Sequence, residues 1–443
     1  MTLARTICLG FLLVISVGTL LLAMPLSLAD GTWGNPLTAL FTSTSAVCVT
    51  GLSVVDVGKY YSPFGQVILL LLFQIGGLGY MTATTFLMVL LGWRLRLRDK
   101  VALHRSLETP GMAGLRQLLK SIIAMTVVIE LTGAFLLLPV FSRDFGFSQG
   151  LWFSLFHSVS AFNNAGFGLL SDNLMRYVET PIVSWTVGGL IIFGGIGYQV
   201  LLEGYLWLRD RQPQRRLFIF TLHTKLAVTI TALLLVLGTL AIWGTEFRNT
   251  DTVAQLGYLN SWTAAWFQAV TARTAGFNTV DQMELTLTAV VVTIILMFIG
   301  ASPGGTGGGI KTTTLGLLVF CTHAVLQGKT TVVCFQRRLP VAVVFKAVGI
   351  TVGSLSAVML GVILLSLANP NLNFIQILFE AVSAFGTVGL DLGVMATANA
   401  ATQLILIGLM YTGRVGVLLL MSALLGDPRP SAIRYPEEEL LVG

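Results

Sequence analysis

Charged residues are scarce in this sequence. Asp, Glu, Lys and Arg make up 10% of 443 residues and hydrophobic residues 55%, whereas a soluble globular chain carries roughly 25% charge. That shortage excludes an ordinary water-soluble domain. Cysteine and histidine are scarce as well, at four each. Cys8, Cys48, Cys321 and Cys334 show no CxxC or metal-ligand spacing, which excludes a disulfide framework and a zinc site. His104, His157, His223 and His323 show no pairing that would hold a metal, and no set of acids and nucleophiles suggests catalysis.

Long apolar runs take the place of charge. Ile7–Ala29, Val67–Gly92, Leu118–Phe141, Thr221–Trp243 and Val341–Leu367 each have about 20 or more mostly apolar residues, enough to cross a hydrocarbon core about 30 Å thick. Arg5, the apolar run after it and Ser27-Leu28-Ala29 also fit a cleaved signal peptide. The run is long for one, and the repeats below need it as a retained helix.

Four related segments lie between these runs: Ser45–Leu52 (SAVCVTGL), Ser160–Phe167 (SAFNNAGF), Thr271–Phe277 (TARTAGF) and Ser383–Leu390 (SAFGTVGL). Their glycines Gly51, Gly166, Gly276 and Gly389 are spaced 115, 110 and 113 residues apart, and such a regular period marks an internal repeat. The expected fold is all-α and membrane-embedded, with four tandem membrane-pore-membrane repeats, about eight spans and four re-entrant pore helices around a pseudo-fourfold pore. The repeats are expected at 1–100, 101–212, 213–332 and 333–443. Pore helices are expected over Pro36–Val47, Gln149–Phe162, Leu259–Thr271 and Phe374–Phe385. These are too short to cross a bilayer, and a half-crossing helix that ends in a loop is tolerated there only where protein or a watery cavity surrounds it.

Charge sets the orientation. Nineteen Lys and Arg fall in the connections between repeats and at the termini, against four on the opposite side, which instead carries ten acids, among them Asp30, Asp56, Asp172, Asp251, Asp281 and Asp391. Both termini are therefore expected in the cytoplasm of a multi-pass cell (inner) membrane protein, with the loops facing an acidic outer vestibule that concentrates cations. The basic face also suits anionic membrane lipid.

The loops have the composition of a cation filter. None places an acid between its pore helix and its glycine, and backbone carbonyls replace the hydration shell of a monovalent cation without trapping it. The coordinating residues are expected to be Val49, Thr50 and Gly51; Asn164, Ala165 and Gly166; Thr274, Ala275 and Gly276; and Thr387, Val388 and Gly389. The pore helices aim their partly negative ends at the same place. For any one loop, a glycine after a helix is equally an ordinary C-cap; four matching copies argue otherwise. Arg273 is awkward beside a cation path, and the expectation is that it points behind the filter and pairs with an acid such as Glu380.

These motifs resemble the Trk/Ktr/HKT superfamily of potassium transporters over essentially the whole chain. Within it the resemblance is greatest to the membrane subunit of the bacterial Ktr system, on the loop Thr44–Leu52, the absence of spans before the first repeat, and the ending Arg434–Gly443. The resemblance implies potassium as the transported ion, since four glycines go with potassium selectivity and a serine at the first goes with sodium. It further implies sodium as an activator, a homodimer joined in part through the C-terminus, and control by a cytoplasmic nucleotide-binding ring subunit. Nucleic acid is not expected as a partner.

Gly300–Lys311 holds six glycines and a proline and must break its helix, because glycine costs about 1 kcal/mol and proline about 3 inside one. Below the filter it is a natural gate, and the resemblance implies an intramembrane gating loop here, built from Gly304, Gly305, Thr306, Gly307, Gly308 and Gly309. Arg414, inside the apolar run Gln403–Leu425, is expensive in lipid; it is expected to hold the gate carbonyls, with a structural pair as the alternative. Lys311 is a weaker gate candidate that is able to snorkel to water. Glu130 is expected to be a buried structural partner. The glycine loop is not a phosphate-binding loop, since Ile310 separates its glycines from Lys311 and no strand precedes it. Gly76–Gly79 and Gly194–Gly197 are expected to allow close helix packing. Two alternatives fit less well: a membrane-embedded enzyme needs convergent acids or histidines that the sequence lacks, and an inverted-repeat cation carrier needs an odd number of spans in each repeat.

Overall fold

The computed structural model describes residues 3–90, 112–209 and 220–426. The tail Arg434–Gly443 lies outside them. So do Arg94, Arg96, Arg98, Lys100, Arg105, Arg211, Arg215, Arg216 and Arg429, on which part of the orientation argument rests.

Each repeat lays down a long helix, a short one and a second long one. The short helices are Pro36–Cys48, Phe147–Phe162, Tyr258–Thr271 and Phe374–Gly386, within two residues of the expected stretches. Their starts are written in the sequence: Asn35 Oδ1 accepts from Leu37 N at 2.9 Å ahead of Pro36, and Asn373 and Gln376 form a reciprocal capping box. The first helix of every repeat is long and apolar enough to cross a membrane, over Ala4–Ala23, Leu119–Phe145, Leu222–Glu246 and Val341–Ala368.

The second helices are the interrupted ones. Pro63–Leu90 is helical over 28 residues, but Pro181–Ile196 turns by 103° into Tyr198–Leu208, and Ala400–Val415 turns by 95° into Val417–Leu425. Gly197 and Gly416 make these turns at φ 97° and 87°, a backbone region closed to residues with a Cβ. The run Gln403–Leu425 is therefore not one straight span, and Arg414 sits one turn from a sharp corner. In the third repeat Leu287–Phe298 and Thr312–Leu326 flank the glycine loop. A two-residue antiparallel pairing of Val333–Cys334 with Arg337–Arg338 is a small departure from an all-α fold.

The short helices form the core. Phe41, Ser43, Phe156, Ser158, Phe267 and Phe379 have no exposed surface, whereas Leu13, Phe135, Val236 and Leu367 on the first helices face outward at 58–75% exposure, where lipid covers them. Close approach is set by small residues. Gly18, Gly133, Gly238 and Gly361, one on each first helix, leave room for Leu72, Leu190, Leu296 and Leu409 of the second helix in the same repeat. Ser43 and Ser158 on the short helices donate across this seam to the carbonyls of Ile15 (2.8 Å) and Glu130 (2.6 Å), so neither hydroxyl is stranded.

Candidate cation pathway and its plug

The four loops after the short helices share one backbone design. In each, the residue before the glycine donates its N–H to a Ser or Thr carbonyl near the end of the short helix: Thr50 to Ser45 and Ala165 to Ser160 at 2.8 Å, Ala275 to Thr271 at 3.0 Å, and Val388 to Ser383 at 2.8 Å. The residue two before the glycine is left-handed every time, Val49 at φ 58°, Asn164 at 57°, Thr274 at 70° and Thr387 at 52°, and so is the glycine itself, at 90°, 70°, 77° and 93°. The residue between them is not, so positive and negative φ alternate in the same order in all four loops. A left-handed backbone at β-branched Val49, Thr274 and Thr387 stores about 1–3 kcal/mol each, strain that persists only where the surroundings enforce it.

The loops close into a ring in chain order. A Cβ built on Gly51 would lie 2.8 Å from the Gly166 Cα, one on Gly166 3.2 Å from that of Gly276, one on Gly276 3.2 Å from that of Gly389, and one on Gly389 3.1 Å from that of Gly51. Hydroxyls brace the ring from behind. Ser45 Oγ accepts from Gly51 N at 3.1 Å and Ser383 Oγ from Gly389 N at 3.2 Å, while Thr271 Oγ1 donates to Phe277 O at 2.5 Å. In the chain after the second loop, Asp172 is clamped by the Arg176 guanidinium at 2.8 Å, which holds its carboxyl below the usual carboxylate range.

The Gly300–Lys311 loop lies directly beneath this ring, held from several repeats. Gly194 O and Gly195 O accept from Thr306 N at 3.0 Å and Ser302 N at 2.9 Å, and Tyr198 N donates back to Gly304 O at 3.1 Å. Gly308 N donates to Thr387 Oγ1 at 3.1 Å. Gly304 and Gly309 take left-handed angles, Gly305 packs on the Gly195 carbonyl, and Gly307 packs on Thr274 Oγ1. Arg414, with no exposed surface, donates to Thr306 O, and to Gly76 O of the first repeat at 2.7 Å. Lys311 does not run out toward water; its Nζ turns back to Gly307 O at 2.7 Å.

The expected pairing of Arg273 with Glu380 needs correction. Arg273 passes behind the ring, but its partner is the Gly300 carbonyl at 3.4 Å; the ion pairs among the described residues are Lys59–Asp56, Arg143–Asp144 and Arg176–Asp172. Glu380 is buried elsewhere and accepts from Leu392 N at 3.1 Å, tying down the chain after the fourth loop. Glu130 is buried behind the second loop, accepting from Gln74 Nε2 at 3.3 Å and Asn163 Nδ2 at 3.0 Å.

The glycine pairs of the second helices are more than packing points. A Cβ on Gly76, Gly194 or Gly413 would strike the carbonyl of Val47, Phe162 or Phe385, in each case the residue four before the ring glycine of the same repeat. These second helices thus press on the ends of the pore helices, and the carbonyls of Gly194 and Gly195 receive the plug while that of Gly76 receives Arg414. The signal was in the sequence: Gly-Gly-Leu-Gly79, Gly-Gly-Ile-Gly197 and Gly-Arg-Val-Gly416 recur 24–28 residues after the ring glycines.

Comparison with known proteins agrees with this architecture. Residues 11–425 match the family TrkH, described as a cation transport protein. The Ktr system potassium uptake protein B of Vibrio alginolyticus is 40% identical over 99% of this chain and 94% of its own length; its namesake in Bacillus subtilis (strain 168) is 39% identical over 99% and 96%. The potassium/sodium uptake protein NtpJ of Enterococcus hirae is 36% identical over 99% and 97%. The solved potassium transporter TrkH from Vibrio parahaemolyticus superimposes with a TM-score of 0.73 over 95% of this chain and 84% of its own, at 17% identity, a likeness of fold.

Proposed function

This chain belongs to the TrkH cation transport protein family, and from that premise we propose that its glycine ring is a potassium filter and its Gly300–Lys311 loop the gate. The chain is a multi-pass membrane transporter for potassium uptake, not an enzyme, as its relatives over nearly the whole length are potassium uptake proteins. The observation that carries the filter is the alternation of positive and negative φ repeated in all four loops and closed into a ring. Carbonyls of Val49–Gly51, Asn164–Gly166, Thr274–Gly276 and Thr387–Gly389 replace the hydration shell of the ion. The loop beneath closes the path, and Arg414 both holds it there and raises the barrier to a cation.

Likeness to Ktr system proteins supports a regulatory partner on a separate chain, read here as a cytoplasmic nucleotide-binding ring, and a homodimer. The printed name of the Enterococcus hirae relative supports a sodium link, read here as activation by Na+. Both termini are read as cytoplasmic.

The test is growth at limiting potassium of a host lacking its own uptake systems. The intact chain with its regulatory subunit restores growth. Gly51→Ser, whose added Cβ meets the second loop and whose φ of 90° is strained, loses uptake or shifts it toward sodium. Unaltered potassium uptake and unaltered discrimination against sodium in Gly51→Ser would overturn the filter reading.

A further inference from the structure

The gate loop is bonded to side chains of the filter itself, and this carries an inference about ligand binding that rests on the filter-and-gate reading. Three of the four residues two before the ring glycines bear side-chain oxygens, and all three meet the loop or each other. Gly308 N donates to Thr387 Oγ1 at 3.1 Å. Thr306 Oγ1 lies 3.3 Å from Asn164 Oδ1 and 3.2 Å from Phe162 O. Asn164 Nδ2 donates to Thr274 Oγ1 at 3.2 Å, and Gly307 packs against that same hydroxyl so closely that a Cβ there would collide with it. All three residues are fully buried. The fourth member of the tier, Val49, has no side-chain oxygen.

The left-handed backbone at this tier is what turns the side chains off the short helices and down toward the loop. Oxygens contributed by three of the four repeats, each from the residue two before a ring glycine and each against the loop or its neighbour, are the donor set of a monovalent cation. In the seated position Thr387 Oγ1 accepts from Gly308 N, Asn164 Oδ1 from the Thr306 hydroxyl, and Thr274 Oγ1 from Asn164 Nδ2 instead. We infer that Asn164, Thr274 and Thr387 form a monovalent-cation site at the inner mouth of the filter, for which potassium and the gate loop compete. When the loop is seated, its donors stand where the ion would bind. When it withdraws, Oδ1 and the two Oγ1 atoms turn to the ion. Potassium arriving at the inner mouth thereby opposes closure, and a ligand that binds one state alone shifts the population by the factor 1 + [L]/Kd.

Hydrogen exchange of the Gly300–Lys311 amides tests this, using the full chain in lipid nanodiscs with choline chloride balancing ionic strength. A rise in potassium from the dissociation constant to ten times that value increases loop exchange about fivefold in the unaltered chain. Thr387→Val, which keeps the shape and removes the hydroxyl, exchanges fast at every potassium concentration; Thr387→Ser restores the dependence. Loop exchange that falls with potassium, or that ignores it in both the unaltered chain and Thr387→Ser, overturns the site even if Thr387→Val fails to fold. Rubidium tracer uptake in the same preparation separates this failure from failure of the transport reading: a chain that moves rubidium with potassium-independent loop exchange has the pathway without the site.

Discussion

Arg414 offers the sharpest test of how the plug is held. Its guanidinium is fully buried and donates to two carbonyls. Only the Thr306 bond depends on the loop being seated, because Gly76 belongs to a helix of the first repeat. A hydrogen bond to a charged group is worth about 1.5–3 kcal/mol, so Arg414→Met weakens the seated state by that amount relative to the withdrawn one. At about 1.4 kcal/mol per tenfold, the withdrawn fraction rises roughly 10- to 150-fold. Removing a positive charge from the path acts in the same direction on a cation. The assay is rubidium leak into vesicles holding the chain without its regulatory subunit, normalised to the folded amount. Arg414→Lys, a compact charge that lacks the fork, should leak at an intermediate level. A well-folded Arg414→Met that leaks no more than the unaltered chain would show that the loop is seated by its other bonds alone.

The neighbouring contacts give further outcomes. Gly194→Ala drives a methyl group into the Phe162 carbonyl; overpacking of this kind costs about 1–3 kcal/mol, read as a lower melting temperature in detergent, and an unchanged melt would mean that the second helix does not bear on the pore helix. Glu130→Gln leaves one of two buried amide donors facing another donor, a loss of about 1–3 kcal/mol, and Glu130→Leu strands both for about twice that. Equal losses in the two variants, measured by denaturant midpoint, would contradict the bonding from Gln74 and Asn163.

Much of the fold was legible because membrane physics leaves few options. An apolar run of 20 residues has one use, and four spaced copies of an Ala followed four or five residues later by Gly, after a short amphipathic stretch, define the repeat. The plug was legible too, since six glycines and a proline cannot continue a helix. What escaped depends on backbone atoms that a sequence does not display. Arg273 suggested an acid because side-chain charges are visible in the letters, yet its partner is the carbonyl of Gly300. The corners at Gly197 and Gly416 escaped because a glycine in an apolar run is equally compatible with close packing. Only the contact of Gly76, Gly194 and Gly413 with pore-helix carbonyls separates the two uses.

Symmetry and its breakage divide the two tasks. A cation surrounded by carbonyls needs equivalent ligands on all sides, and the ring residues are nearly interchangeable: four glycines, the same two left-handed positions, the same N–H to Ser or Thr carbonyl bond. A plug cannot be fourfold, because four copies would collide on the axis. The repeats diverge where the plug is made. The third supplies the loop, the fourth the arginine, the second the glycine carbonyls, and the first a carbonyl at Gly76. One tier up, Val49 breaks the polar set of Asn164, Thr274 and Thr387, so the loop is bonded to the second and fourth repeats and lies against Thr274 of its own, with no hydroxyl or amide facing it at the first. With three polar neighbours and one apolar one, the first repeat is the side toward which the loop breaks fewest bonds in leaving. Val49→Thr would supply the missing hydroxyl. On this reasoning it holds the loop more firmly and slows exchange of the Gly300–Lys311 amides, whereas faster exchange would mean that the loop leaves by another side.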